Sequence, residues 1–243
     1  MQTKPHYILY FDVLGYKEIV QHEDENAFLL DIQKMYNEEI LDKVKRKYSK
    51  CKIFSDNAIV TFPKIQDQNK NDMRLKQLCH FAARLQEQCL RKYGILIRGA
   101  ISEGLLYMDD NFVYGSGLIS VYELENSEAI YPRIIVDPNL YNNSYISSST
   151  HTIFKEKIWD NYYFINFLNY YHPNINTNGT RKKHLEHIEK KIDDFIKNNS
   201  TKNSHNARVL QKFFWLRQLL NYLQKNGKCI CNTKESFLEN PAS

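Results

Sequence analysis

The sequence predicts an α+β fold: a largely antiparallel sheet with two long helices on one face, extended towards the C-terminus by further helices. Three observations carry that prediction. An aromatic and β-branched run, Tyr7–Phe11, is broken at Asp12 and Gly15. Two more such runs, Lys52–Phe54 and Ala58–Phe62, meet at the tight turn Ser55-Asp56-Asn57. Between and after them, two long stretches repeat their apolar residues at helical spacing. With 42% hydrophobic residues among 243, the chain can bury a sizeable core, as one domain with an appendage or as two small domains.

Taken in order, Tyr7–Phe11 reads as a buried central strand. From Glu25 to about Lys47, the residues Phe28, Leu29, Ile32, Met35, Tyr36, Ile40 and Val44 form the stripe of a first helix with a basic end. The hairpin follows, then a polar loop over 66–72, then a second helix, Met73–Tyr93, stopped by Gly94. Ile95–Ile101 reads as a strand, Glu103-Gly104 as a turn, and Leu105–Met108 as a short strand entering the acidic loop Asp109-Asp110-Asn111. Phe112–Tyr114 is extended, Gly115 and Gly117 lead into a helix over Leu118–Asn126, and Arg133–Val136 is a further strand. This β-α-β-β-α-β order is ferredoxin-like. Residues 142–180, rich in Asn, Ser and Tyr, read as irregular. His184–Ile196 and Arg208–Gln224 read as amphipathic helices, and the residues from Asn226 as a tail.

Composition narrows the function classes. The net charge of +5 is mild and spread along the chain, which suits a small anionic substrate and does not call for nucleic acid. Cys51, Cys79, Cys89, Cys229 and Cys231 follow neither zinc nor disulfide spacing, which favours a reducing cytoplasm. The early apolar run is too short for a signal peptide, and no stretch approaches the roughly 20 apolar residues of a membrane span. The basic residues Arg181–Lys183 and Lys190-Lys191 read as a solvated helix face. The expectation is a cytoplasmic protein without membrane or nucleic-acid partners.

Asp12 stands where a strand ends and Asp56 where a hairpin turns. Asp in such places caps turns. Two together can also hold cations, because a buried carboxylate is costly unless paired or ligating. Two divalent ions about 4 Å apart can activate a ribose 3′-hydroxyl and neutralise an α-phosphate, and oxygen ligands select Mg²⁺ or Mn²⁺ over zinc. Gly15 permits the close backbone approach a phosphate requires. Arg98, inside an apolar strand, is open between a solvent-facing residue and a bidentate cation for phosphate or a pyrimidine carbonyl.

FDVLGYKE resembles the first metal motif of class III nucleotidyl cyclases, KIFSDNAIV their second, and Ile97–Glu125 (IRGAISEGLLYMDDNFVYGSGLISVYELE) their Arg-strand, hairpin and glycine-marked helix. Three blocks in order cover about residues 5–137. The chain most resembles the pyrimidine cyclases of bacterial anti-phage defence, in its YELE-type helix, its YPRIIVD strand and Phe214-Trp215-Leu216 through Asn221-Tyr222. The resemblance implies a palm-like catalytic domain over 5–140, an irregular segment and packed helices over 141–225, and a tail over 226–243. It implies two Mn²⁺ or Mg²⁺ ions on Asp12, the main chain of Val13 and Asp56, with amides of Leu14, Gly15 and Tyr16 facing phosphates. Lys52 matches a base-contacting position, although a solvated strand residue is equally open there. A head-to-tail homodimer and a separate cyclic-nucleotide effector are also implied.

The departures bear on the substrate. Phe112 stands where purine cyclases carry a base-reading Asp, and Ile119 and Glu123 stand where their helix carries Asn and Arg. Arg98 is then the expected catalytic cation, and Phe54 and Phe112 the aromatic walls of a pyrimidine site. The expected reaction makes 3′,5′-cyclic UMP and diphosphate from UTP, with CTP second. A purine cyclase and a catalytically silent nucleotide-binding module are the alternatives.

Overall fold

At the centre of the sheet lies β1 (Lys4–Val13), whose middle five residues are buried on both faces. The computed structural model describes residues 2–17, 20, 25–44, 49–142, 153–154, 162–169, 178–199 and 207–225. The expected tail with Cys229 and Cys231, the loop 200–206 and the helix end at Lys47 lie outside them. Strands β2 (Lys50–Phe54) and β3 (Asn57–Pro63) form the expected hairpin, joined by Ser55-Asp56. β1 pairs antiparallel with β3 and with β4 (Ile97–Met108). The order β2-β3-β1-β4 is the ferredoxin-like one that the sequence predicts.

Helix α1 (Glu25–Met35) continues through a π-helical segment, Tyr36–Leu41, and helix α2 (Gln68–Gln88) through another, Cys89–Tyr93. The two are tied by buried Glu39, which accepts from Arg84 at 2.9 Å and Lys92 at 2.5 Å. α2 begins before the expected Met73 because Asp67 caps it, accepting from the Lys70 amide at 3.1 Å. The expected turn at Glu103-Gly104 does not form. β4 runs straight through it, held by β1 from Lys4↔Leu106 to Val13↔Ile97. Gly104 serves packing instead: a Cβ there would stand 2.5 Å from the Gly117 Cα of helix α3 (Ser116–Glu128). Ile8 Cδ1 abuts Gly117 and Tyr10 meets Tyr122 edge-on at 5.7 Å, so even-numbered β1 residues face α3. Asp12 shares that face.

Strand β5 (Val113–Tyr114) folds back on the end of β4 as a two-stranded ribbon. β6 (Ile134–Val136) adds parallel to β4, and short α4 (Pro138–Asn142) follows it. The stretch 142–180, expected to be irregular, supplies β7 (Ile153–Phe154) and β8 (Tyr163–Ile165), which extend the sheet beyond β6. Helices α5 (Asn178–Asn199) and α6 (Ala207–Lys225) pair through Arg217, bonded to Glu189 at 2.7 Å and Asp193 at 2.9 Å. α6 docks on the sheet through Trp215, which stacks on Tyr131 and meets Phe164. Among the described residues, no helix is long and apolar enough to cross a membrane.

Candidate active site

β1 and the hairpin bring the two aspartates together. Asp12 is the register partner of Asn57, the residue after Asp56, and the Val13 amide donates to the Asp56 carbonyl at 3.1 Å. The Tyr10 hydroxyl donates to Asn57 Oδ1 at 2.5 Å, and Asn57 Nδ2 donates to Asp56 Oδ1 at 3.0 Å, so the tip carboxylate is oriented from the strand beside it. Burial, with Glu125 and Asp12 nearby, raises the Tyr10 phenol and keeps it a donor. Ser55 takes the left-handed φ of 56° that lets the two-residue turn close.

Arg98 on β4 is the register partner of Asp12 and grips it with a fork: Nε donates to Oδ1 at 2.9 Å and Nη2 to Oδ2 at 3.0 Å. Burial pushes the Asp12 acid up, Arg98 pulls it down, and Asp56 pushes it up again. Glu125 approaches the same nitrogen, with Oε1 2.9 Å from Nε. That N–H is already directed at Asp12, so Glu125 Oε1 has charge contact without a hydrogen bond in the described residues. Burial raises Glu125 to about 7, and Asp12 adds to the rise. The sequence reading missed Glu125. Its spacing of four from Val121 and eight from Gly117 puts it on the buried stripe of α3, where a carboxylate needs a cation.

Leu14, Gly15 and Tyr16 form the turn beyond β1, with Gly15 at φ 78°. The Leu14 amide is spoken for by the Leu96 carbonyl at 2.9 Å. The other expected residues lie elsewhere. Lys52 donates to the carbonyls of Asp109 and Asp110 at the ribbon tip, and Phe112 stacks on Tyr114 in the same ribbon. β2 is two strand spacings from β1, about 10 Å, so one chain does not gather Lys52 and Phe112 around Asp12. Phe54 is exposed at the end of β2.

The Asp12–Asp56 pair suits a hard divalent cation. Its donors are oxygens, and its half-buried charge is offset by a single guanidinium. The Tyr36 hydroxyl is buried without a hydrogen-bond partner in the described residues, and burial, with the charges of Asp56 and Asp12, raises its pKa. Among the described residues, no cluster of three His, Cys, Asp or Glu side chains joins the pair. Remaining coordination positions would fall to main-chain oxygen, water and substrate.

No family model matches the sequence, and no curated protein matches it. Solved structures do. The monomeric guanylyl cyclase domain of the RhoGC fusion protein from the aquatic fungus Blastocladiella emersonii superposes with TM-score 0.51 at 13% identity, covering 68% of this chain and 98% of that one. A double mutant of the same domain gives 0.50 at 14% identity, covering 68% and 97%. The fold is that of a nucleotidyl cyclase catalytic domain. The adenylyl cyclase CyaB from P. aeruginosa is a more distant likeness, TM-score 0.46 at 17% identity, covering 68% and 94%. Within this cyclase fold, Ile119 and Glu123 lie exposed on α3, apart from the Asp12–Arg98–Glu125 group on its buried side.

Proposed function

We propose that the chain is a nucleotidyl cyclase that makes a 3′,5′-cyclic nucleotide and diphosphate from a nucleoside triphosphate, with UTP preferred and CTP second. The observation that carries this reading is the meeting of Asp12 and Asp56 at the ends of β1 and the β2–β3 hairpin, with Arg98 beside them. Asp12, Asp56 and the main chain at Val13 would hold two Mg²⁺ or Mn²⁺ ions, which when bound lower the pKa of the 3′-hydroxyl and neutralise phosphate charge. The 3′-oxygen forms a bond to the α-phosphorus, the bond to the β-phosphate oxygen breaks, and diphosphate leaves with that electron pair while the hydroxyl proton passes to water. Arg98, which here holds Asp12, would turn its fork to the phosphates with cations on the carboxylate.

A homodimer is part of the reading. Leu105, Phe112, Tyr114, Ile119 and Tyr122 are exposed on the ribbon, β4 and α3, an apolar surface that a second copy can cover. That copy would bring the Lys52–Phe112 region of one chain towards the aspartates of the other. The aromatic ribbon favours a stacked base, and the absence of a carboxylate at Phe112 favours a pyrimidine over adenine. The resemblance to defence cyclases extends the reading to a second messenger acting on a separate effector.

Incubation with each of the four nucleoside triphosphates and Mn²⁺, with products identified by mass, tests this. The expected result is cyclic UMP at a kcat/KM at least about tenfold above ATP and GTP, equivalent to roughly 1.4 kcal/mol. Equal turnover of ATP would make this a purine cyclase, and no cyclic product from any of the four would make it a silent binding module.

A further inference from the structure

Helix α6 is read from the sequence as an appendage, yet its first turns sit on the turn that follows β1. A Cβ at Gly15 would stand 2.9 Å from Val209 Cγ2. The two elements enclose a cavity of about 180 Å³ lined by Leu14, Gly15, Arg98, Arg208, Val209 and Lys212. Half of those residues are cations and none is acidic. Lys212 is held at this place, its Nζ donating to the Ile130 carbonyl at 2.5 Å and lying 5.2 Å from the Tyr131 ring centre. Trp215, one turn further along, stacks on the same Tyr131 and anchors the helix.

Three cations converging on a small cavity repel one another, and the repulsion is registered at Lys212. Partial burial lowers its ammonium, and Arg98 and Arg208 lower it further. Among the described residues, Asp12 and Glu125 pair with Arg98 and not with Arg208 or Lys212. A polyanion entering from solvent would relieve the repulsion and accept charge-assisted hydrogen bonds from both elements. Nothing in the β-α-β-β-α-β domain itself supplies Arg208 or Lys212.

We propose that Arg208 and Lys212 of α6, with Arg98, form the binding subsite for the β- and γ-phosphates of the substrate, so that the C-terminal helix is part of the active site. The inference rests on the cyclase reading for the identity of the nucleotide but not for the anion. It gives the chain cations that its α3, with Ile119 and Glu123 exposed, does not provide. The α-phosphate and ribose would remain with Asp12, Asp56 and the Gly15 turn.

The test measures binding of inorganic tripolyphosphate by calorimetry in the full chain, alongside nucleotide turnover. Arg208→Ala and Lys212→Ala should each weaken tripolyphosphate about tenfold or more. Arg208→Lys and Lys212→Arg should retain most of the binding, and a nucleoside monophosphate should bind all forms alike. Arg208 is exposed, so its variant keeps the wild-type melting temperature and separates charge from folding. In turnover, the alanine variants should raise KM for the triphosphate more than they lower kcat. Unchanged tripolyphosphate affinity in both alanine variants would overturn the subsite while leaving any wild-type cyclase activity standing. Tripolyphosphate binding that follows Arg208 and Lys212 in a protein with no cyclase activity would keep the subsite and refute the reaction.

Discussion

The two ends of the sheet face hold opposite kinds of surface. At the end of β1, Asp12, Arg98 and Glu125 are buried or nearly so and satisfy much of one another's charge within one chain. On the ribbon, Phe112 and Tyr114 are more than half exposed and stack on each other with no covering layer in the described residues. The first region holds its charges in fixed relation before any ligand arrives. The second is a wall without an opposite wall. On the proposed reading the first region is the catalytic half, complete in one protomer, and the second the base-binding half that a second copy would close; the following measurements probe this division.

The largest effect is expected at the charged end. Asp12→Asn or Asp56→Asn should lower turnover about a thousandfold or more, since on the proposed reading each removes one anchor for phosphate-neutralising cations. Retention of more than a tenth of wild-type turnover, with an unchanged melting temperature, would detach these residues from the chemistry.

Glu125 offers the next largest effect, read as stability. Its folded pKa of about 7 lies above the ordinary carboxyl value of 4.5, so between those values the folded state binds more protons than the unfolded one. Stability should therefore fall as pH rises from about 4.5 to 7, by up to about 3 kcal/mol, and level off above. Urea unfolding at several pH values, without divalent ions, measures this. Glu125→Gln should flatten that window, and an unaltered slope would mean another group carries it.

The smallest expected effect is the most diagnostic of the division. Asp56→Asn protomers and Phe112→Glu protomers should each be inactive alone. Mixed at equal amounts as head-to-tail dimers, they should regain about a quarter of wild-type turnover, since half the dimers then hold one intact site of two. Absence of recovery in a mixture shown to exchange subunits would mean that a site takes its Phe112 and its Asp56 from one and the same chain. A complementing pair of Asp56 and Arg98 variants is not expected, because Arg98 grips Asp12 of its own chain.

Much of this was legible because it is local. The break of an apolar run at Asp12, the Ser55-Asp56 turn and the helical stripes are short-range signals, and each element appears there, with α2 starting five residues before the expected Met73. Gly104 misled because a glycine inside an apolar stretch reads equally as a turn or as a site of close approach, and only the pairing with β1 decides between them. β7 and β8 are two- and three-residue strands, too short for a period of two to show. The docking of α6 on Gly15 joins positions nearly two hundred residues apart, and no window along the chain contains both. Glu125 was readable in principle, as a carboxylate on a buried stripe.

The contact between Gly104 and Gly117 sets a tolerance for chemistry some distance away. Gly117 and Glu125 lie eight residues apart on α3, about 12 Å along its axis. A methyl group at Gly104 would need the helix to retreat by about 1 Å to reach ordinary van der Waals separation. A displacement of that size carried along a rigid rod is comparable to the margin between a 2.9 Å ion pair and a broken one at Arg98. Two residues with no side chains therefore act as the gauge block against which the charge spacing of the site is cut.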